Sequence, residues 1–422
     1  MVVITTSKGM KSLPNWLVKI AIASGLWPFQ KNEIKELRFK WISLQFVASF
    51  LFIVTGLVIN TIMVIFRYKA YHGTVFYLTM SSDHIGPSET FGRITSFVII
   101  TFGINILRLV HILKRRSIVT FWNKLVNSFS TLNESSETVA TDLEWLKRVN
   151  LGLAIFFLLE LALLMLRSVF EFVRLSKYHL ATDTDQQEIL RHTFYTFWEM
   201  LEKLFMRNYY LLYYVMVSSI CLGLVKLRLE VEKETFVGKL YLKDFSQIEI
   251  WGKMKGDEET NAVRILGHLD TWKRIVDEFN STFAFPVLFC GIQLGALILT
   301  QIFIVAVHLT DKNINTLRYS FVIEISLDTW TLFLVCMAGN NMTVNVLKLA
   351  RKLEKISVER LSKDTRERLR HSIKRMHAKP MEIRPGNFIT FNARLVTSMI
   401  AGSISYLLVM VQFNSSNSCN ED

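Results

Sequence analysis

Seven long apolar blocks, each with at most two charged residues, constrain the fold of this 422-residue chain more than any other feature. A membrane span needs roughly 20 mainly apolar residues at about 1.5 Å rise each. Half of the chain (51%) is hydrophobic, and these residues are concentrated in blocks instead of being spread as in a soluble core. The pattern predicts an all-α membrane protein with seven transmembrane helices, at residues 41–66, 94–112, 149–170, 208–225, 279–310, 319–347 and 388–413.

The lysines and arginines lie unevenly in the gaps between these blocks. Of the 49, 36 lie in four segments, and only 10 lie in the remaining gaps; the four segments are 1–40, 113–148, 226–278 and 348–386. The positive-inside rule places the cation-rich set in the cytosol, so we expect a cytosolic N-terminus and an extracellular C-terminus. Because the net charge of +13 sits in loops between spans, it does not indicate nucleic-acid binding.

This orientation divides the chain into five parts. We expect a cytosolic N-terminal segment, a bundle of six spans, a cytosolic helical stretch, a last span and an extracellular tail, at 1–40, 41–347, 348–390, 388–413 and 414–422. Residues 226–278 and 348–378 have apolar positions at helical spacing and few Gly or Pro. Both a basic helix lying on anionic lipid and a cytosolic extension packed on other helices account for the second stretch.

Motifs for catalysis or nucleotide binding are absent from the sequence. There is no phosphate-binding glycine loop, no nucleophile elbow and no His and Cys cluster with metal-ligand spacing. The four cysteines do not have the spacing of a disulfide framework. We therefore expect a protein that is not an enzyme and that needs no cofactor or metal.

Two carboxylates inside the sixth block are candidate ligand-binding groups. Glu324 and Asp328 are four residues apart and so share one helix face, and Trp330 lies on the flank of the next turn. Charges inside a span are costly and are usually held by partners or water. A structural pair with Arg167 or Arg318, closeness to the outer surface, and hydrogen bonds to a polar ligand beside an aromatic ring all remain open.

Further polar and aromatic residues lie in the other blocks. Glu160 in the middle of the third block is expected to face protein, either as structure or as part of a pocket. His308 lies near the outer end of the fifth block. Four tyrosines in the outer half of the fourth block indicate either an interfacial belt or a pocket wall, namely Tyr209, Tyr210, Tyr213 and Tyr214.

The last block ends in a specific local pattern. Ser405 and Tyr406 are followed by five apolar residues and then by Gln412 and Phe413. This ending fits an interfacial aromatic belt with a polar cap. It also fits a pore helix, in which Gln412 faces water and Phe413 forms an apolar constriction.

The same ending resembles the insect gustatory receptors of the insect chemoreceptor superfamily. Their last helix ends in TYhhhhhQF, where h is apolar, and residues 405–413 here read SYLLVMVQF. Residues 391–404, FNARLVTSMIAGSI, also look like the family's final helix. Ser405 replaces Thr and keeps the hydroxyl group. Leu407 stands where sweet receptors often have Glu, which argues against a sugar receptor.

The resemblance implies a tetrameric, ligand-gated cation channel opened by a tastant such as a sugar or a bitter compound. The seventh helices would line the pore, with Gln412 as the polar lining residue, Phe413 as the gate and Tyr406 packing behind them. The cytosolic ends of the fourth to sixth helices and the start of the seventh would anchor the subunits, as a homotetramer or with related receptors. The implied location is the plasma membrane of a sensory neuron, in contact with lipid, and a ligand pocket would lie in the outer halves of the first six helices.

Rival classes fit less well. A G-protein-coupled receptor has the opposite orientation, and residues 148–150 read Arg-Val-Asn where that class has an acidic-Arg-Tyr triplet. A secondary transporter is disfavoured by the odd number of spans and the lack of a visible repeat. An odorant receptor of the same superfamily is the nearest alternative, and the Gln-Phe ending favours the gustatory branch.

Overall fold

The fold was analysed in a computed structural model. It describes residues 30–31, 37–38, 44–72, 87–133, the helical positions 151–152, 155–156, 158–163, 165–166, 169 and 173, and then residues 186–241, 249–310, 317–356 and 361–418. In these residues the chain is helical apart from short connections and one antiparallel pair of two-residue strands, β1 (Gln30–Lys31) and β2 (Leu37–Arg38). The expectation of an all-α protein is therefore met apart from this pair.

The numbered helices follow the predicted blocks but are mostly longer. They are α1 (Leu44–His72), α2 (Pro87–Leu113), α3 (Arg115–Asn133), α4 (Gln186–Tyr241), α5 (Glu249–Thr282), α6 (Ala284–Thr310), α7 (Leu317–Leu353), α8 (Lys363–Ala378) and α9 (Ala393–Ser418). A short 3₁₀ turn, η1 (Pro385–Asn387), precedes α9.

Three of these helices are long and apolar enough to cross a membrane among the residues that are described. Their apolar stretches are Leu201–Glu232 in α4, Ala284–Phe303 in α6 and Val322–Leu353 in α7. Shorter apolar stretches lie in α1 and α2, at Phe46–Ile59 and Val98–Leu113. The 56 residues of α4 extend about 84 Å, nearly three times the thickness of a hydrocarbon core, so a large part of α4 lies outside it.

The core lies where α4 packs along α7, with α2 and α6 on neighbouring sides. Gly223 of α4 allows one of the closest contacts, because a Cβ there would lie 2.1 Å from the fully buried indole of Trp272 in α5. The helix α3 packs on the end of α5, where Lys114 donates to the carbonyl oxygens of Ser281 and Thr282 at 3.2 and 3.0 Å. A cation at this point compensates the carbonyl groups left unpaired at a helix C-terminus.

The break between α5 and α6 is slight. Phe283 still donates its N–H to the carbonyl of Phe279, and Val287 donates to that of Phe283. Pro286 is the third residue of α6, where a missing N–H costs little. The proline thus lies in the first turn of α6, within the fifth apolar block.

The basic helix α8 packs against α5 and α7 through a narrow stripe. Its buried residues Thr365, Leu369 and Met376 recur at helical spacing. Glu259 of α5 accepts hydrogen bonds from the N–H of Ser362 at 2.8 Å and from its hydroxyl at 2.7 Å, where α8 begins. Of the two explanations for this basic segment, the structure shows the one in which it packs on other helices.

Candidate functional site

A ladder of buried charges joins α4 to α7. Lys203 Nζ lies 2.9 Å from Glu324 Oε2, and Arg207 Nε lies 2.6 Å from Asp328 Oδ1. The two cations are four residues apart on α4 and the two carboxylates are four apart on α7, so one turn of each helix separates the pairs. All four side chains are buried, and the contact between the helices is therefore fixed in register by charge.

Two further residues extend this ladder to other parts of the bundle. Glu160, in the segment 151–173, accepts from Arg207 Nη1 at 3.1 Å. Gln301 of α6 donates from Nε2 to Glu324 Oε2 and to Asp328 Oδ2, each at 3.2 Å. We call these six residues the charge ladder: Glu160, Lys203, Arg207, Gln301, Glu324 and Asp328. The ladder gives the buried charged side chains of α4 and α7 ion-pair and hydrogen-bond partners. The hydrocarbon interior of a membrane would not provide such partners.

Another buried cation, outside the charge ladder, lies in α2. Arg108 Nη1 donates to Asn105 Oδ1 at 2.9 Å and lies 3.9 Å from Glu202 Oε1, and its guanidinium lies 5.2 Å from the centre of the Phe52 ring. Arg108 does not reach toward a surface of the bundle, because it is only 1% exposed and has polar partners within the bundle.

Three of the four tyrosines that the sequence singled out on α4 lie inside the bundle. Tyr209 contacts His111 of α2 and Tyr213 through its hydroxyl, and Tyr210 donates to the carbonyl oxygen of Cys290 in α6. These three tyrosines are almost fully buried, whereas Tyr214 is half-buried. The alternative of an interfacial belt is therefore wrong for the first three.

The last helix, α9, is packed at its start, and most of its described side chains beyond Met399 are exposed within one chain. Val396 and Met399 pack against the core, while Tyr406 is 42% exposed. Its other exposed apolar residues, between 45% and 57%, are Ile400, Ile404, Leu408 and Val409. Gln412 is also exposed, and the side chain of Phe413 lies outside the described part of the structure. A helix with this much uncovered apolar surface faces lipid or another subunit.

Comparison with protein families supplies the identity of the fold. The family model described as "7tm Chemosensory receptor" matches residues 16–417. The chain belongs to this chemosensory receptor family. Comparison with curated proteins gave no match.

Two solved structures resemble the receptor over nearly its whole length. They are the insect olfactory receptor OR5 from Machilis hrabei and the same receptor in complex with eugenol. Their TM-scores are 0.66 and 0.63 and their identities 16% and 15%, and each match covers 94% of this chain and 97% of that chain. At such low identity the likeness shows the fold alone, and it agrees with a helical membrane protein.

Family membership confirms the coarser part of the sequence-based identification. The chain is a membrane-spanning chemosensory receptor, which agrees with the expectation that it is not an enzyme. The gustatory branch, the tetramer and the tastant remain predictions. Among the described residues no group of three or more His, Cys, Asp or Glu side chains is arranged to hold a metal ion.

The predicted ligand-binding residues of the receptor separate into three groups. Glu160, Glu324 and Asp328 meet in the charge ladder. Trp330 is half-exposed and stacks on Phe333 at 5.5 Å between ring centres, away from the ladder's hydrogen bonds. Tyr210 and Tyr214 lie on α4, and the side chains of Arg167 and His308 are outside the described part.

The sequence reasoning missed the cations of the ladder. Lys203 and Arg207 were counted with an outer loop, since the fourth block appeared to begin at Asn208. Their spacing of four matches the spacing of Glu324 and Asp328, and this matching is the signal that could have paired them. Gln301 was also missed, because a lone glutamine in an apolar block has no pattern of its own.

Proposed function

We propose that this receptor is a gustatory, ligand-gated, non-selective cation channel in the plasma membrane of sensory neurons. The observation that carries the proposal is the packing, exposure and final sequence of α9. Its start is packed, its outer half is exposed within one chain, and its end has the Gln412-Phe413 pair of the gustatory pattern. Four such helices around one axis would cover their apolar faces and present Gln412 to a shared aqueous path.

The remaining parts take roles that follow from this arrangement. Phe413 forms an apolar gate, and Tyr406 packs behind it. Residues 226–278 and 348–390 form a cytosolic anchor that holds a homotetramer or a heterotetramer with related receptors. A tastant binds among the outer halves of the other helices, with the charge ladder at the base of its pocket and Trp330, Arg167, Tyr210, Tyr214 and His308 as further candidates for its wall.

Opening requires a ligand that binds the open arrangement more tightly than the closed one, since equal affinity shifts nothing. The charge ladder joins α4, α6 and α7, so a polar ligand that competes for Glu324 or Asp328 would alter the packing of three helices at once. Buried ionisable groups within spans are costly, which supports a role in ligand response for at least part of the ladder.

The test is the current without ligand after replacing Phe413 with Ala. Surface-expressed Phe413→Ala receptor should show raised basal current, because the constriction loses its aromatic ring. The matched control is Ile404→Ala, since nine residues place it on the opposite side of the helix. A silent Phe413→Ala channel at normal surface expression would count against the proposal.

An odorant-type channel is the second candidate. It is favoured by the fold shared with the insect olfactory receptor OR5, which is described in complex with eugenol. Calcium imaging in a cell line, with sugars, alkaloids, amino acids and volatile phenols including eugenol, discriminates between the two. Response to volatile phenols alone would favour the odorant class.

A further inference from the structure

The segment between α8 and α9 is a compact loop with a defined shape. The N–H of Phe391 donates to the carbonyl oxygen of Ile383 at 3.0 Å, which closes the loop across η1. Gly386 and Asn387 both have positive φ, at 62° and 61°, and Ile383 and Phe391 are buried. Glycine and asparagine tolerate this conformation best, so the turn is preformed and resists bending.

One amide of α5 holds this loop from the cytosolic side of the bundle. Asn280 donates from Nδ2 to the carbonyl oxygen of Glu382 at 2.8 Å, and its Oδ1 accepts the N–H of Arg384 at 2.9 Å. A single side chain thus satisfies backbone groups two residues apart, as a neighbouring strand would. The loop is therefore fixed to α5 and cannot shift without breaking both bonds.

Two glycines of the bundle hold the other end of the loop. A Cβ at Gly339 of α7 would lie 2.1 Å from the carbonyl oxygen of Phe391, and one at Gly291 of α6 would lie 2.9 Å from Phe391 Cζ. One turn further along α6, a Cβ at Gly295 would lie 2.7 Å from Met399 Cε of α9. The base of the last helix is therefore in tight contact with α6 and α7. Little free space remains between α9 and these two helices at this point.

We infer that Phe391, Gly291, Gly339 and Asn280 form a socket through which displacement of α6 and α7 is transmitted to the last helix. These are positioning residues, since none lies at the end of α9. The loop is too tightly held to absorb movement, and most of the described side chains of α9 beyond Met399 are exposed within the chain. Movement of α6 or α7 at Phe391 therefore pivots the whole last helix.

The inference rests on the proposed function for its electrical readout but not for its structural one. The structural readout is the rate at which a water-soluble methanethiosulfonate reagent modifies Gln412→Cys, in a background with Cys419→Ser, followed by mass spectrometry. This rate reports the position of the end of α9 and requires no current. The electrical readout is the ligand concentration for half-maximal current.

The variants differ in how easily the atoms that contact the substituted side chain can move. Gly339→Ala forces a methyl group against backbone, whereas Gly291→Ala meets only the end of a ring, and Asn280→Asp loses the donor to Glu382. Controls are Gly267→Ala, where a Cβ meets nothing within 4 Å, and Ser281→Ala, whose hydroxyl bonds within its own helix.

We expect Gly339→Ala to change the labelling rate most, with Gly291→Ala and Asn280→Asp intermediate and the controls equal to the parent. The half-maximal concentration should shift about fivefold or more in the same order. If Gly339→Ala does not reach the surface, the two milder variants decide. Unchanged labelling in every variant overturns the socket, whereas changed labelling in a protein that never conducts retains the socket and refutes the channel.

Discussion

Arg207 donates its Nε–H to Oδ1 of Asp328 at 2.6 Å across the interface of α4 and α7, and both side chains are buried. The same guanidinium reaches Glu160 at 3.1 Å, so one cation holds two acidic groups from different parts of the chain. The charge ladder therefore holds the helices of the bundle together independently of any ligand.

The first prediction is that Asp328→Ala lowers the stability of the receptor by about 3–5 kcal/mol, because removing one partner leaves a buried charge poorly compensated. The measurement is the thermal midpoint of detergent-solubilised protein, followed by fluorescence-detected size exclusion. The control is Ser326→Ala, an exposed residue two positions away. An equal midpoint for both variants would show that the pair adds nothing to stability.

The second prediction concerns the other rung of the ladder. Lys203→Glu and Glu324→Lys should each reduce folded yield strongly, because each places like charges about 3 Å apart in a buried site. The double variant restores opposite charges and should recover part of the loss, measured as surface expression in a double-mutant cycle. Additive losses would mean that the two residues do not interact energetically.

The third prediction uses the glycine at the contact between α4 and α5. Gly223→Ala should destabilise the receptor by about 1–3 kcal/mol, since its methyl group would overlap the fully buried Trp272. Gly267→Ala on α5 meets open space and should be neutral or slightly stabilising, because alanine favours helix more than glycine does. Equal thermal midpoints for the two variants would refute the packing.

The fourth prediction concerns pH at the contact between α5 and α8. Hydrogen bonds from Thr365 and Ser362 lower the pKa of Glu259 below its ordinary value of 4.5. A carboxyl with a lowered pKa contributes stability above its unfolded pKa and loses it as pH falls through the folded one. The thermal midpoint of Glu259→Gln should therefore lie below that of the parent at pH 7.

The difference between parent and Glu259→Gln should fade as the pH falls below 4.5 and through the lowered pKa of Glu259, because the protonated carboxyl is then neutral like the glutamine side chain. Glu354→Gln is a suitable control, since Glu354 is an exposed residue that pairs with His377 and not with the start of α8. A difference that stays constant down to the lowest pH would contradict the hydrogen-bonding account.

Hydropathy predicted a multi-span membrane protein because apolar blocks are a local signal, and the ending at residues 405–413 supplied the resemblance to chemosensory receptors. Hydropathy failed at Lys203 and Arg207, because a charged residue ends an apolar block in the sequence although α4 continues through both residues. Burial of these cations depends on carboxylates 121 residues away, which no local window includes. The burial of Arg108 likewise depends on polar partners that the fold brings together.

The ending of the chain shows the opposite case. The order of Tyr406, Gln412 and Phe413 is a pattern that sequence alone reveals, whereas one folded chain cannot supply the neighbours around a pore. The contact of Phe391 with Gly291 and Gly339 could be predicted only in part. A glycine in a span indicates that another segment packs closely against it, but the sequence does not identify that segment.

The most direct measurement is modification of Gln412→Cys by a charged, membrane-impermeant methanethiosulfonate reagent applied from outside during ligand-evoked current, in the Cys419→Ser background. A residue that lines a shared aqueous path should react faster when the channel is open, and the current should fall to a small fraction of its initial value. The Cys419→Ser parent should be unaffected. Complete labelling of Gln412→Cys with no change in current would contradict the placement of the last helix at a pore.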